Sequence, residues 1–176
     1  MDALEADFAG FESSLSIVSA GYIGVRDVLT GSVLWRSIGH LAAVGAAGVQ
    51  VSRDLAFVGD GPYLAELRRL APDAIFTGYL SGEELACAFA SADVFVFPST
   101  TDTFGNVVIE AQACGLPCVV SDQGGPKDLV EHGVSGFVTR GNDVEDFAKA
   151  VAQLAGDSDL RARMREASIQ SVSTRD

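Results

Sequence analysis

The sequence predicts an α/β fold in which a parallel β-sheet is covered by helices on both faces. Short apolar runs alternate with helical stretches from residue 55 onward, at the spacing of strand–helix units. The apolar runs are continuous and do not alternate with polar residues, as expected for strands that are buried on both faces. Units of this kind join parallel strands through right-handed crossovers, which makes this part of the chain Rossmann-like.

The strands and helices of this part are predicted from the local residue pattern. The predicted strands are Leu55–Val58, Ala74–Phe76, Val94–Phe97, Pro117–Ser121 and Gly136–Val138. The predicted helices are Tyr63–Leu70, Gly82–Ser91, Asn106–Cys114, Pro126–His132, Val144–Leu154 and Leu160–Ser168. The last two form a C-terminal helical pair.

Residues 1–54 follow the pattern less clearly. Leu15–Ala20 is a candidate first strand and Ser32–Ala47 a candidate first helix with one apolar face. We interpret residues 1–54 as an atypical N-terminal segment, an altered first strand–helix unit, in front of the domain at residues 55–176. Truncation, an altered reading frame and a natural stand-alone remnant would each account for it.

The charge of the chain limits the class of partner. The formal net charge is −12, and such a surface repels nucleic acid and anionic membranes, which bind clustered Lys and Arg. The uncharged stretch Ser37–Ser52 is too short and too polar to span a bilayer. The acidic N-terminus is the wrong start for a signal peptide. We expect a soluble cytoplasmic protein, with no nucleic-acid partner and no integral membrane segment.

Three cysteines and one acidic pair are expected to be structural. Cys87, Cys114 and Cys118 lack metal-ligand spacing, and we interpret them as reduced core thiols. Asp157 and Asp159 precede a predicted helix, and a capping role is expected of them in preference to a metal site.

A polar loop after the strand Val94–Phe97 carries the candidate chemistry. The loop contains Asp102 and leads into a helix that begins near Gly105 and carries Glu110. Loops at the C-terminal ends of parallel strands form the ligand crevice of an open sheet. Glycine lets a ligand approach the backbone closely, and the first free N–H groups of a helix bind phosphate. We therefore expect a phosphate-bearing ligand at this edge of the sheet.

The residues from 93 to 125 resemble the retaining GT-B glycosyltransferases of group 1. The hallmark of that family is two acidic residues separated by seven others, followed by a Gly-Leu-Pro turn. Asp102 and Glu110 stand at this spacing, and Glu110-Ala-Gln-Ala-Cys-Gly-Leu-Pro117 supplies the rest. The run Thr103-Phe-Gly-Asn-Val-Val is similar to the subgroup that uses mannosyl or sulfoquinovosyl donors. The further matches are Val58-Gly-Asp-Gly-Pro62, Phe76-Thr-Gly-Tyr-Leu80, Gly124-Gly-Pro126 and Gly133-Val-Ser-Gly136.

The resemblance implies that residues 55–176 are the nucleotide-sugar-binding domain, the C-terminal half of a GT-B fold. The substrate would be a UDP- or GDP-hexose, with no metal and no other cofactor. Glu110 would accept hydrogen bonds from ribose hydroxyls, and Asp102, where the family usually has the longer Glu, would hold hydroxyls of the donor sugar. The other donor contacts that the resemblance implies are Gly59, Gly61, Tyr79, Leu80, Thr103, Phe104, Gly105, Asn106, Val107, Gly124 and Gly125.

Two departures from the family pattern make the chain look incomplete. The family has an Arg and a Lys after the first strand, which neutralise the leaving diphosphate. If Gly21 is the glycine that ends this strand, Tyr22 holds the Arg position and the Lys position falls near Asp27. Residues 1–54 are also too few for an acceptor-binding domain. We expect no complete transfer by this chain alone, and an exposed apolar face that favours an acceptor-domain partner chain or self-association.

Alternatives remain open for individual residues and for the whole chain. Asp102 alone would be interpreted as a helix cap, and Gly59 to Gly61 as a strand–turn–helix junction. A non-catalytic module that binds a nucleotide sugar, and a nucleotide-sugar epimerase of the same fold, are the alternative functions.

Overall fold

A computed structural model describes residues 17–20, 55–61, 64–70, 72 and 74–175 of the chain. Its strands are β1 (Ile17–Ala20), β2 (Leu55–Val58), β3 (Ile75–Gly78), β4 (Val94–Phe97), β5 (Cys118–Ser121) and β6 (Gly136–Thr139). All neighbouring pairs are parallel, in the order β3-β2-β1-β4-β5-β6. The parallel sheet is confirmed, and its strand order reverses between β1 and β4, where open α/β sheets bind ligands.

The helices agree with the predicted elements in number and place, with one exception. They are α1 (Leu64–Leu70), α2 (Gly82–Ala90), α3 (Asn106–Ala113), α4 (Val144–Gly156) and α5 (Ser158–Ser173). The exception is the predicted helix Pro126–His132, of which only a 3-10 turn at Pro126–Asp128 forms. The carbonyl oxygen of Leu129 accepts from the Gln112 side chain at 3.0 Å and from Arg175. The N–H of Glu131, which a continuing helix would direct to the carbonyl four residues earlier, donates instead to Ser135 Oγ at 3.1 Å, so the helix does not continue.

The N-terminal segment contributes a central strand. β1 lies between β2 and β4, and Ile17 is in register with both Leu55 and Val94. The predicted helix Ser32–Ala47 lies outside the described residues, together with Gly21, Tyr22 and Asp27. The division of the chain at residue 54 therefore stays a prediction.

Both faces of the sheet are buried, as the continuous apolar runs predict. Phe95 and Phe97 of β4 pack in one core cluster with Phe89 of α2. Val94 and Val96 of the same strand pack in the other cluster, which includes Phe147, Val151 and Leu154 of α4. Each such side chain contributes about 1.5–3 kcal/mol on burial, so these layers hold the strand ends in place.

Two predicted helix ends are confirmed. Gly115 has φ +83° after α3, its N–H donates to the Gln112 carbonyl, and the Leu116 N–H donates to the Ala111 carbonyl. This is a Schellman motif. The Asp157 carboxylate accepts from the Leu160 N–H at 2.8 Å and so caps α5, as expected.

Candidate functional site

Asp102 organises the loop between β4 and α3. Its carboxylate oxygen Oδ1 accepts hydrogen bonds from the N–H groups of Phe104 at 2.9 Å and Gly105 at 2.6 Å. The N–H of Asp102 itself donates to Ser99 Oγ at 3.2 Å. The carboxylate thus holds the turn in front of the helix. It does not cap α3, because the N-cap residue is Gly105 and no side chain in the described ranges accepts a capping hydrogen bond there.

Gly105 starts α3 in a conformation that favours glycine. Its φ is +75°, and an added Cβ would lie 3.1 Å from both Leu129 Cδ1 and Pro126 Cγ. A larger residue would therefore be strained and would press the helix away from the 3-10 turn. The glycine keeps the first turn of α3 close to the segment that follows β5.

The first turn of α3 offers two N–H groups to a ligand. The N–H groups of Phe104 and Gly105 are used by Asp102. Those of Asn106 and Val107 have no acceptor among the residues that the structure describes. Backbone N–H groups in this position bind anions, aided by the helix dipole.

Glu110 lies one turn further along α3, on the same exposed face as Asn106. Val108, Ala111 and Gln112 form the buried side of the helix. In the described part of the chain, no hydrogen bond or ion pair engages the Glu110 side chain, so its two oxygens are available to hydroxyl groups.

The glycine pair after β5 packs against the loop after β4. The Gly125 N–H donates to the Asp102 carbonyl at 3.0 Å. A Cβ on Gly124 would lie 2.3 Å from the Asp102 carbonyl oxygen, and one on Gly125 would lie 2.3 Å from that of Thr103. The two loops approach too closely for any side chain at these positions. The structure thus gives the pair a packing role, while its predicted contact with the donor stays a prediction.

The loops after β2 and β3 form the other part of the candidate site. The Gly59 N–H donates to the Gly78 carbonyl at 2.7 Å, which joins the two loops. The Gly61 carbonyl accepts from Leu64 at 3.0 Å and begins α1, as the strand–turn–helix interpretation predicts. Tyr79 is 70% exposed, whereas the Leu80 side chain is 8% exposed and lies in the core. Leu80 therefore presents only its backbone to a ligand.

The predicted site residues lie at one edge of the sheet, in two groups. Gly59, Gly61 and Tyr79 follow β2 and β3, whereas Asp102, Gly105 and the first turn of α3 follow β4. Because β1 separates the groups and strands lie about 4.8 Å apart, β3 and β4 are about 14 Å from each other. The loop that follows β1 lies outside the described residues.

A family model described as glycosyl transferases group 1 matches residues 28–157, which is most of the chain. The chain belongs to the group 1 glycosyltransferases. The match agrees with the resemblance carried by Asp102, Glu110 and the Gly-Leu-Pro turn.

Relatives of this glycosyltransferase domain act on sugars, as their names state. The chain is 44% identical over 112 residues to a sulfoquinovosyl transferase of Arabidopsis thaliana, covering 61% of this chain and 22% of that protein. It is 42% identical over 118 residues to a GDP-mannose-dependent alpha-mannosyltransferase of Corynebacterium glutamicum, covering 67% of this chain and 29% of that protein. The chain thus spans less than a third of the length of either relative.

Solved glycosyltransferases share the fold. Anabaena HepE, crystallised with UDP and glucose, superposes with a TM-score of 0.78 at 22% identity, over 97% of this chain and 48% of that one. WaaG, a glycosyltransferase involved in lipopolysaccharide biosynthesis, superposes with a TM-score of 0.76 at 19% identity, over 100% and 48% of the two chains. The expected GT-B architecture of the domain is confirmed.

The glycosyltransferase domain contains a buried polar network that the sequence did not reveal. Gln112 is 0% exposed, and its amide nitrogen donates to the Leu129 carbonyl at 3.0 Å and lies 3.5 Å from Ser135 Oγ. Ser168 Oγ of α5 donates to the Ser135 carbonyl at 3.1 Å. The network fixes α3 to the segment after β5 and to the C-terminal helix. In the sequence, the only local sign of this network is a Gln among the apolar positions of a predicted helix.

The thiols of the domain differ in exposure. All three cysteines are free, but only Cys118 is buried, and Cys87 is exposed. The expectation of three core thiols was therefore wrong for Cys87, which lies on the outer side of α2. Burial raises the pKa of Cys118 far above its usual range. Burial also raises the pKa of Cys114, and the nearby Arg165 partly opposes this shift.

None of the helices in the described ranges is both long enough and apolar enough to cross a membrane.

Proposed function

We propose that the chain binds a nucleoside-diphosphate hexose at the C-terminal edge of its sheet, beside the switch point between β1 and β4. Together with an acceptor-binding domain, it would support transfer of the hexosyl group to a hydroxyl acceptor with retention of the anomeric configuration. The observation that carries the proposal is the first turn of α3, where the N–H groups of Asn106 and Val107 are open and Glu110 is exposed on the same face.

These groups suit the two polar parts of a nucleotide. The N–H groups of Asn106 and Val107 donate to phosphate oxygens, and the helix dipole adds favourable charge. A local site of this kind is needed because the net charge of −12 repels a diphosphate at long range. Glu110 accepts hydrogen bonds from two adjacent ribose hydroxyls, one on each carboxylate oxygen, and its negative charge strengthens both.

A second domain or chain is the proposed source of the acceptor site. Phe104, which follows β4, and Tyr79, which follows β3, are both 70% exposed. Exposed aromatic side chains at a ligand-binding edge favour contact with a ligand or with another protein surface. A cytoplasmic location is part of the proposal and is supported by three free thiols, which are typical of reducing compartments.

Calorimetric titration of the whole chain tests the proposal. The ligands are UDP, GDP, UDP-glucose and GDP-mannose, because relatives and structural neighbours carry UDP or GDP-mannose in their names. We expect binding to one base, weakened about tenfold or more in Glu110→Ala because a charge-assisted pair of hydrogen bonds is lost. Glu166→Ala is the matched control, since it removes an exposed carboxylate from α5.

If Glu110→Ala and the wild type bind the nucleotide with equal affinity, Glu110 does not contact it. If none of the four ligands binds, the proposed donor-binding function is refuted. A parallel assay for release of free hexose from a bound donor separates a catalytic domain from a module that only binds.

A further inference from the structure

We infer that Asp102 serves the donor site as a positioning residue, because its carboxylate oxygen Oδ1 holds the loop in front of α3. The inference rests on the proposed donor site and concerns how one of its two acidic residues works. The family resemblance implies a contact between Asp102 and the sugar hydroxyls, and the hydrogen bonds of the loop give the same residue a role that reaches the phosphates.

Three parts of Asp102 are anchored to the protein. Its N–H donates to Ser99 Oγ, its carboxylate accepts from Phe104 and Gly105, and its carbonyl accepts from Gly125. The two carboxylate bonds are 2.9 and 2.6 Å long, within the range of strong charge-assisted hydrogen bonds. Both bonds end on Oδ1, so this oxygen is engaged by the backbone.

The anchored loop determines where the open N–H groups lie. Gly105 is the residue directly before α3, and Asn106 and Val107 begin the helix. Release of the Phe104 and Gly105 N–H groups would let this turn shift or fray, and the two N–H groups offered to phosphate would move with it. Asp102 therefore acts on the donor through the backbone of residues 104 to 107.

The length of the side chain explains why this position holds Asp. An Asp carboxylate closes hydrogen bonds to N–H groups two and three residues ahead, in a compact turn. A Glu side chain is one carbon longer, so it would close a wider and less compact turn with the same groups. The shorter Asp therefore suits the positioning role.

The test compares Asp102→Ala and Asp102→Asn with the wild type in the full chain. Each protein is titrated with the nucleoside diphosphate and with the corresponding nucleotide hexose, and circular dichroism verifies folding. Asp128→Ala is the control, because it removes an exposed carboxylate from the neighbouring 3-10 turn. The ratio of the two affinities isolates any contact with the sugar.

A positioning role predicts that Asp102→Ala weakens binding of the nucleoside diphosphate, which carries no hexose, by about fivefold. Asp102→Asn should recover most of the loss, since the Asn carbonyl accepts from the same N–H groups. A selective loss of nucleotide-hexose affinity, with diphosphate affinity unchanged, would show direct sugar binding and overturn the inference.

Amide exchange measured by NMR separates this inference from the proposed function. The Phe104 and Gly105 N–H groups should exchange faster in Asp102→Ala than in Asp102→Asn. Unchanged exchange in Asp102→Ala would also overturn the inference. If the wild type binds no nucleotide, the proposed function fails and the positioning of a donor fails with it, while the exchange rates still report on the loop.

Discussion

The N–H of Gly125 donates a hydrogen bond to the carbonyl oxygen of Asp102 at 3.0 Å. This bond joins the loop after β4 to the turn after β5, at the edge of the sheet where the donor is proposed to bind. Gly124 and Gly125 lie so close to the Asp102–Thr103 backbone that no Cβ fits at either position. The geometry of the candidate site therefore depends on packing between two segments that are distant in sequence.

Substitution of Gly125 by Ala should destabilise the domain and weaken nucleotide binding. The new Cβ would lie 2.3 Å from the Thr103 carbonyl oxygen and 2.7 Å from its carbonyl carbon, so backbone must move. We expect a loss of about 1–3 kcal/mol in the free energy of unfolding, measured by urea denaturation. Gly156→Ala is the control, since nothing lies within 4 Å of a Cβ there. Equal effects of the two substitutions would contradict the close packing.

Substitution of Gln112 by Ala should destabilise the domain through its buried network. Gln112 is 0% exposed, and its removal takes one of two side-chain donors from the Leu129 carbonyl, which keeps Arg175, and removes the amide beside Ser135 Oγ. The expected loss is about 1–3 kcal/mol in the free energy of unfolding. Gln170→Ala, at an exposed position of α5, should change it by less than about 0.5 kcal/mol. Denaturation curves that coincide for the two variants would argue against the network.

Acid should weaken the turn before α4 through Asp146. The pKa of this carboxyl is lowered from 3.8, chiefly by the Arg140 N–H, which donates to it at 2.8 Å. A lowered folded-state pKa stabilises the fold above the unfolded-state pKa, and this contribution disappears as the pH falls through the folded value. The difference in unfolding free energy between the wild type and Asp146→Asn should therefore be larger at pH 7 than at pH 3. A difference that does not change with pH would refute this linkage.

The three thiols should react with a maleimide in the order of their exposure. Cys87 is exposed and should be alkylated first at pH 8, whereas Cys114 is half-buried and has a raised pKa. Cys118 is buried with a strongly raised pKa, so it should react only after unfolding, because the thiolate is the nucleophile. Mass spectrometry of timed samples gives the order. Early labelling of Cys118 would mean that the core around β5 opens to the reagent in the folded protein.

Particular elements show how much of the fold the local residue pattern predicts. The strands Leu55–Val58 and Val94–Phe97 have the predicted bounds, because a short apolar run with both faces buried is visible in sequence. The predicted helix Pro126–His132 was wrong, because the Glu131 N–H donates to the side chain of Ser135 and not to the carbonyl four residues earlier. The spacing of Asp102 and Glu110 located the candidate site, but it left the partners of the Asp102 carboxylate undecided.

The sequence by itself determined the α/β class, the succession of strands and helices from residue 55, and the family. These features depend on local periodicity, turn residues and motif spacing. Only the tertiary structure decided that β1 lies in the middle of the sheet, that Gly125 bonds to Asp102, and that Gln112 is buried against Ser135. The physical reason is that hydrogen-bond partners and close backbone contacts depend on which distant segments pack together. A local residue pattern does not contain that information.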